Sequence, residues 1–128
     1  MNSLKDKKIL VVEDEKDLRD ILAAVLENLV SEVFVAENGE KALQILETES
    51  VDLILSDVQM PVMGGFELTK RVRSKNLLIP VILLISGQSD LTEQSACSIG
   101  ASGLMTKPCD IKTLRNKIML LLNPPSVA

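Results

Sequence analysis

The stretch Val51-Asp-Leu-Ile-Leu-Ser-Asp-Val-Gln-Met-Pro61 constrains the fold more than any other part of the chain. Its run from Asp52 to Ser56 is almost continuously apolar, whereas a strand with one wet face alternates apolar and polar residues. Burial on both faces is the habit of a parallel sheet covered by helices on each side. The run ends in Ser56 and Asp57, and Pro61 closes the turn that follows. Asp57 therefore stands where a buried strand gives way to a loop. In open α/β sheets, ligands bind at that edge.

The rest of the chain repeats this grammar. Lys8 to Val12 is a first strand, followed by the acidic Glu13-Asp14-Glu15. Leu18, Ile21, Leu22, Val25, Leu26 and Leu29 recur at helical spacing, which predicts an amphipathic helix over about 15 to 29. Glu32 to Ala36 is a second strand, broken by Asn38-Gly39. Ala42, Ile45 and Leu46 share one face of a helix over about 40 to 49. After the third strand, Met60 to Gly65 is a loop and Phe66 to about Lys75 a helix. Phe66, Thr69, Val72 and the stem of Arg73 line the inner side of that helix. Leu77 to Pro80 leads into a fourth strand, Val81 to Ile85, and Ser86 to Ser89 is a loop. Leu91, Ala96 and Ile99 give only a weak apolar face to a fourth helix over about 90 to 99, so it should be the least firmly packed. Gly100 ends it with a left-handed cap. Ser102 to Met105 is a fifth strand. Ile111, Leu114, Ile118, Leu121 and Leu122 mark a last helix over about 110 to 122, stopped by Asn123-Pro-Pro125.

Strands alternating with helices pair in parallel through right-handed crossovers. Five such strands predict a three-layer, doubly wound α/β fold of flavodoxin type, with strand order 2-1-3-4-5. At 128 residues the chain reads as one domain, with a core over about 8 to 122, a short N-terminal head and a tail at 123–128.

Composition excludes several function classes. Eighteen acids against 14 bases give a net charge of -4, which argues against direct nucleic-acid binding by this domain. Two Phe with no Tyr or Trp leave no base-stacking platform. With no His, the chain can form neither a Ser-His-Asp triad, nor a Cys-His pair, nor a His metal site. Cys97 and Cys109 match no CxxC or metal pattern and read as reduced packing thiols. The N-terminus is charged rather than signal-like, and no apolar run approaches a membrane span. The expectation is a cytoplasmic protein with no membrane partner.

Chemistry-bearing residues sit just beyond the carboxyl ends of the central strands. They are Glu13 and Asp14 after the first, Asp57 after the third, Ser86 after the fourth and Lys107 after the fifth. Taken singly, each has a plainer reading: acids charging a helix start, a turn-forming Asp, a turn hydroxyl, a solvated Lys. Taken together, they converge at one sheet edge. Three crowded carboxylates repel, which raises the pKa of at least one. A hard divalent cation relieves that conflict, and few carboxylates with retained waters is the coordination habit of Mg²⁺. A cation, a Lys and a hydroxyl around one carboxylate suit phosphoryl transfer, with Asp57 as the nucleophile that forms an acyl phosphate.

The marks Ile9-Leu-Val-Val-Glu13-Asp14-Glu15, Leu55-Ser-Asp57-Val-Gln-Met-Pro61 with Gly64-Gly65, Ser86, and Lys107-Pro108 resemble the receiver domain of two-component response regulators. In size the chain is similar to the family's single-domain chemotaxis member. The resemblance implies that Asp57 is the phosphoacceptor and that Glu13 and Asp14 hold Mg²⁺ with it. The backbone carbonyl of Gln59 would be a further ligand. Ser86 is implied as the switch hydroxyl and Lys107 as the phosphate partner, with a cis bond to Pro108. A sensor histidine kinase or a phosphotransfer protein would be the donor. Gln59 and Gln88 would tune how fast water attacks the acyl phosphate. The chain would catalyse only its own phosphoryl acceptance and loss.

The output surface implied is the face of the fourth helix, fifth strand and fifth helix, near Met119 and Leu120. There a partner or a second copy could bind, with plain cover by neighbours as the alternative. One departure stands out: Leu104 occupies the position, three residues before the Lys, where the family often has an aromatic, so an aromatic rotamer switch is excluded. The runner-up reading is a receiver-like binding module that is not phosphorylated. A flavin carrier would need a Gly- and hydroxyl-rich loop where Glu13-Asp14-Glu15 stands. An Asp-based phosphatase would need a second Asp where Gln59 stands.

Overall fold

The computed structural model describes residues 4–87, 91–108 and 110–123. Gln88, Cys109 and the Pro124-Pro125 stop lie outside these. Strands and helices alternate strictly: β1 (Lys8–Val12), α1 (Lys16–Glu27), β2 (Glu32–Ala36), α2 (Gly39–Thr48), β3 (Leu53–Asp57), α3 (Gly65–Arg73), β4 (Val81–Ser86), α4 (Glu93–Ser98), β5 (Gly103–Thr106) and α5 (Ile111–Leu122). All strand pairs are parallel, and the order is β2-β1-β3-β4-β5. The continuous apolar runs predicted this arrangement.

The period-2 alternation of each strand divides the core into two layers. Ile9, Val11, Leu53, Leu55, Leu83, Ile85 and Met105 pack with Leu22 and Leu26 of α1 and Leu114 and Ile118 of α5. Leu10, Val12, Ile54, Ile82 and Leu84 pack with Ala42 of α2, Leu68 and Val72 of α3 and Ala96 of α4. Leu53, Ile54, Leu55, Ile82, Leu83 and Leu84 are at most 1% exposed. Each such side chain contributes about 1.5–3 kcal/mol by burial, so the sheet interior outweighs any surface ion pair.

The helices depart from expectation mainly at their ends. α4 has six residues rather than ten. Thr92 starts it through a capping box with Ser95, whose backbone N–H donates to the Thr92 hydroxyl at 3.0 Å. Gly100, at φ 109°, ends it: its N–H bonds to Cys97 O at 3.0 Å, and the Ala101 N–H reaches Ala96 O at 3.1 Å. That pair of bonds is the Schellman motif. Ala96 is the only buried residue of α4, and Cys97 is an exposed free thiol rather than a packing one. Ile21 of α1 is exposed, because the core contact is narrower than the apolar stripe. Met119 packs half-buried against the core, which leaves Leu120 as the outward residue of that pair. Among the described residues, no helix is long and apolar enough to cross a membrane.

Candidate functional site

Register decides which strand ends meet. Val12 lies opposite Ser56, Asp57 opposite Ile85, and Ser86 opposite Thr106. Glu13 and Asp57 therefore leave neighbouring strands at the same level, with Ser86 one step farther on and Lys107 two. Alternation also assigns sides. Glu13, Asp57 and Lys107 continue the α1/α5 layer of Val11, Leu55 and Met105, while Ser86 continues the opposite layer of Ile82 and Leu84.

Three carboxylates and one ammonium meet at this edge. Ligand oxygens of Glu13, Asp14 and Asp57 lie within 4.8 Å of one another. Glu13 is 4% exposed and Asp57 8%, while Asp14 opens to solvent. Lys107 Nζ stands 2.8 Å from Asp57 Oδ2 and 3.8 Å from Glu13 Oε1. The other oxygen, Asp57 Oδ1, receives a long 3.4 Å contact from the Gln59 N–H. Backbone bonds hold the carriers: the Lys107 N–H donates to Ser86 O at 2.8 Å, and the Glu13 N–H donates to Ala36 O at 3.0 Å. The Glu15 N–H donates to Glu13 Oε2 at 3.0 Å. Arg19, which sequence reasoning passed over, donates from Nη1 to Glu13 O at 2.8 Å. A base one turn after the acidic run was the available signal.

The electrostatics are those of an unfinished anion cluster. Burial pushes Glu13 up to about 7; the Glu15 N–H and Lys107 oppose this, and the Asp57 charge and Asp14 add to it. Lys107 is pulled down by burial, but the Asp57 hydrogen bond and the charges of Asp57, Glu13 and Asp14 together raise it. One ammonium does not balance three carboxylates. The donor set is all hard oxygen, and its partly open position leaves room for waters, so the residues present fit Mg²⁺.

The loop behind Asp57 is tightly built. The Met63 N–H donates to Pro61 O at 2.8 Å across Val62, whose φ is 71°. This is a γ-turn with a β-branched residue at its strained centre. Met63 O in turn accepts the Gly39 N–H at 2.8 Å, which pins the loop to the start of α2. Gly64 and Gly65 let α3 begin directly against the strand end: a Cβ there would lie 2.4 Å from Val58 O and 2.5 Å from Asp57 O. No side-chain pattern announced the γ-turn. The bond from Lys107 to Pro108 is cis.

The sequence profile described as the response regulator receiver domain matches residues 9–119. The chain belongs to this family. The receiver is 33% identical over 123 residues to the alkaline phosphatase synthesis transcriptional regulatory protein PhoP of Bacillus subtilis, covering 96% of this chain and 51% of that one. Among solved structures, it is 31% identical to the chemotaxis response regulator CheY4 of Vibrio cholerae, with a TM-score of 0.83 over 92% of this chain and 100% of that one. It is 32% identical to the response regulator TrrA of Thermotoga maritima, solved in complex with Mg²⁺–BeF, with a TM-score of 0.80 over 91% and 99% of the two chains. The receiver thus spans about half the length of PhoP and the whole of the single-domain relatives. Membership is consistent with phosphorylation-controlled switching in two-component signalling.

Proposed function

We propose that Asp57 accepts a phosphoryl group from a phosphohistidine on a sensor histidine kinase or phosphotransfer protein. The observation that carries this is the buried Asp57 carboxylate held through one oxygen by Lys107 at 2.8 Å inside a three-carboxylate cluster. Lys107 occupies Oδ2, so Oδ1 keeps a lone pair for attack on phosphorus. The Asp57 O–P bond forms as the donor's N–P bond breaks, and the electron pair stays with the leaving imidazole. The donor His lies outside these 128 residues, which contain none. Glu13, Asp14, Asp57 and the backbone carbonyl of Gln59 would hold Mg²⁺, which supplies charge neutralisation for the transferring oxygens. Lys107 follows the charge from carboxylate to phosphoryl oxygen.

The groove between α1 and α5 suits the donor. It has a volume of about 370 Å³, opens at Glu13 and Lys107, and is flanked by Ile21 and Ile111. Ser86 lies on the opposite layer, so bringing its hydroxyl to the phosphoryl draws the end of β4 round. That movement biases a two-state equilibrium of the face formed by α4, β5 and α5, which meets a partner, an output domain or a second copy. Leu104 is half-buried in the same layer as Ser86 and pairs in register with Leu84. The relay therefore works through α4 packing, without an aromatic swing. The receiver turns over only its own phosphoryl group, works in the cytoplasm and leaves nucleic-acid contact to other domains or proteins. Gln59, exposed at the rim, tunes the lifetime of the acyl phosphate.

Treatment with a small acyl-phosphate donor and Mg²⁺ should add the mass of one phosphoryl group, and Asp57→Ala should add none. Stoichiometric labelling of Asp57→Ala would sink the assignment. EDTA should abolish labelling of the parent chain.

A further inference from the structure

At the end of the sheet away from Asp57, the loop between α3 and β4 presents Leu77, Leu78 and Ile79 to solvent, at 80%, 80% and 63% exposure. The presentation is built, not incidental. Asn76 Oδ1 accepts the N–H of Leu78 at 2.9 Å and of Ile79 at 3.0 Å. The Asn76 N–H itself donates to Val72 O at 3.1 Å, continuing the end of α3. The side chain of Asn76 thus fixes a turn that holds the leucines outward.

Beside this ridge lies a groove of about 320 Å³ between α2 and α3, with Leu43, Leu46 and Val51 along it. At about 30 Å³ per water, that is room for roughly ten waters, ample for a leucine side chain. Its two banks carry opposite charge: Glu47 and Glu49 on the α2 side, Arg71 and Lys75 on the α3 side. Arg71 is engaged by Glu67 of its own helix at 2.9 Å, whereas Glu47, Glu49 and Lys75 form no ion pair among the described residues.

We propose that this surface is a self-association site, on which a second copy of the chain docks about a two-fold axis running along the α2–α3 groove. Such an axis turns the acidic bank of one copy onto the basic bank of the other, twice. It also brings the two leucine ridges together, so that each apolar loop covers the other. An exposed apolar ridge beside banks of both charge signs makes the patch complementary to itself. A lipid surface or a nucleic acid would instead be met by a bank of one positive sign, and Glu47 and Glu49 repel both. The strand starts and the Asp57 edge are opposite ends of the sheet, so docking leaves the proposed phosphoryl site open.

Sedimentation velocity of the full chain over a concentration series tests this. The parent should show a concentration-dependent dimer, and Leu78→Asp should weaken it at least tenfold. Glu47→Lys and Lys75→Glu should each weaken it several-fold, and the double reversal should restore it, because the banks are then exchanged but still complementary. Thermal melts confirm that each variant is folded, which the exposure of these side chains leads us to expect. A parent that stays monomeric throughout, a dimer indifferent to Leu78→Asp, or a double reversal no better than the single changes would each overturn the proposal. So would a monomer that binds anionic phospholipid vesicles through Leu78.

Discussion

Val62 holds a backbone conformation that its β-branched side chain disfavours, with φ at 71° in the turn beneath the Asp57 edge. Strain of this kind costs about 1–3 kcal/mol and persists only where the surroundings enforce it. Here they do: Pro61, Met63 and Gly39 are bonded in series across the turn. Val62 is 74% exposed, so its side chain contributes little packing in return. Val62→Gly should therefore raise stability by about 1 kcal/mol, the relief being partly offset by glycine's freer unfolded chain. That is a rise in Tm of roughly 4 °C. A lower Tm would mean the turn is held by something other than the bonds described. The contrast with Asp57 shows what a sequence reveals at this scale. Glu13, Asp57 and Lys107 were legible because period-2 strands and parallel topology fix where a strand end points. The side of the sheet taken by Ser86 follows from the same rule once the strand is seen to run to Ser86 itself. Val62 and Arg19 matter through bonds to backbone atoms, and no residue pattern records those.

At the scale of elements, α4 is the piece most lightly held by burial and most dependent on polar contacts. Its two ends are tied differently. At the C-terminal end, Arg73 of α3 donates from Nε to Gly100 O at 2.8 Å, and its stem lies where a Cβ on Gly100 would be only 2.6 Å from Cγ. At the N-terminal end, Glu93 Oε2 accepts Lys117 Nζ of α5 at 2.9 Å and the Leu104 N–H of β5 at 3.2 Å. These two bonds, Lys117 first, hold the Glu93 carboxyl below its usual range. One carboxylate thus joins α4, the open edge of β5 and α5, at the residue where the family often carries an aromatic. Glu93→Ala should change global stability by less than about 1 kcal/mol, because both partners are part-exposed. It should nevertheless speed amide exchange in 93–98 several-fold, since the clasp closes the end of α4 opposite Arg73. Unchanged exchange in that segment would show that the apolar contact of Ala96 alone holds the helix. The sequence foretold a weak fourth helix but not its six-residue length. Its start is a Thr–Ser pair rather than the Thr–Glu signature that marks a capping box from afar.

At the scale of the whole molecule, the topology followed from the strand patterns alone, because two-sided apolar strands separated by helices leave few alternatives. The outward leucine ridge did not, since Leu77 to Pro80 reads as the approach to a strand until Asn76 is seen to turn it. Charge brings a global consequence. Glu13 is raised from an ordinary 4.5 to about 7 in the folded, metal-free chain, so between those values the fold binds more protons than the unfolded chain does. Stability then falls as pH rises through that window. The shift corresponds to about 3–4 kcal/mol, present in full below about pH 4.5 and gone above about pH 7.5. A cation at Glu13, Asp14 and Asp57 reverses the preference, because it binds the ionised carboxylate and displaces the proton. Melts of the metal-free receiver should accordingly give a lower Tm at pH 8 than at pH 5.5. The increment in Tm from millimolar Mg²⁺ should grow over the same range. Glu13→Gln separates this from the general self-repulsion of a chain of net charge -4. It should flatten the metal-free slope and shrink the Mg²⁺ increment at pH 8. Equal slopes in the parent and Glu13→Gln would place the pH dependence elsewhere than in this buried carboxylate.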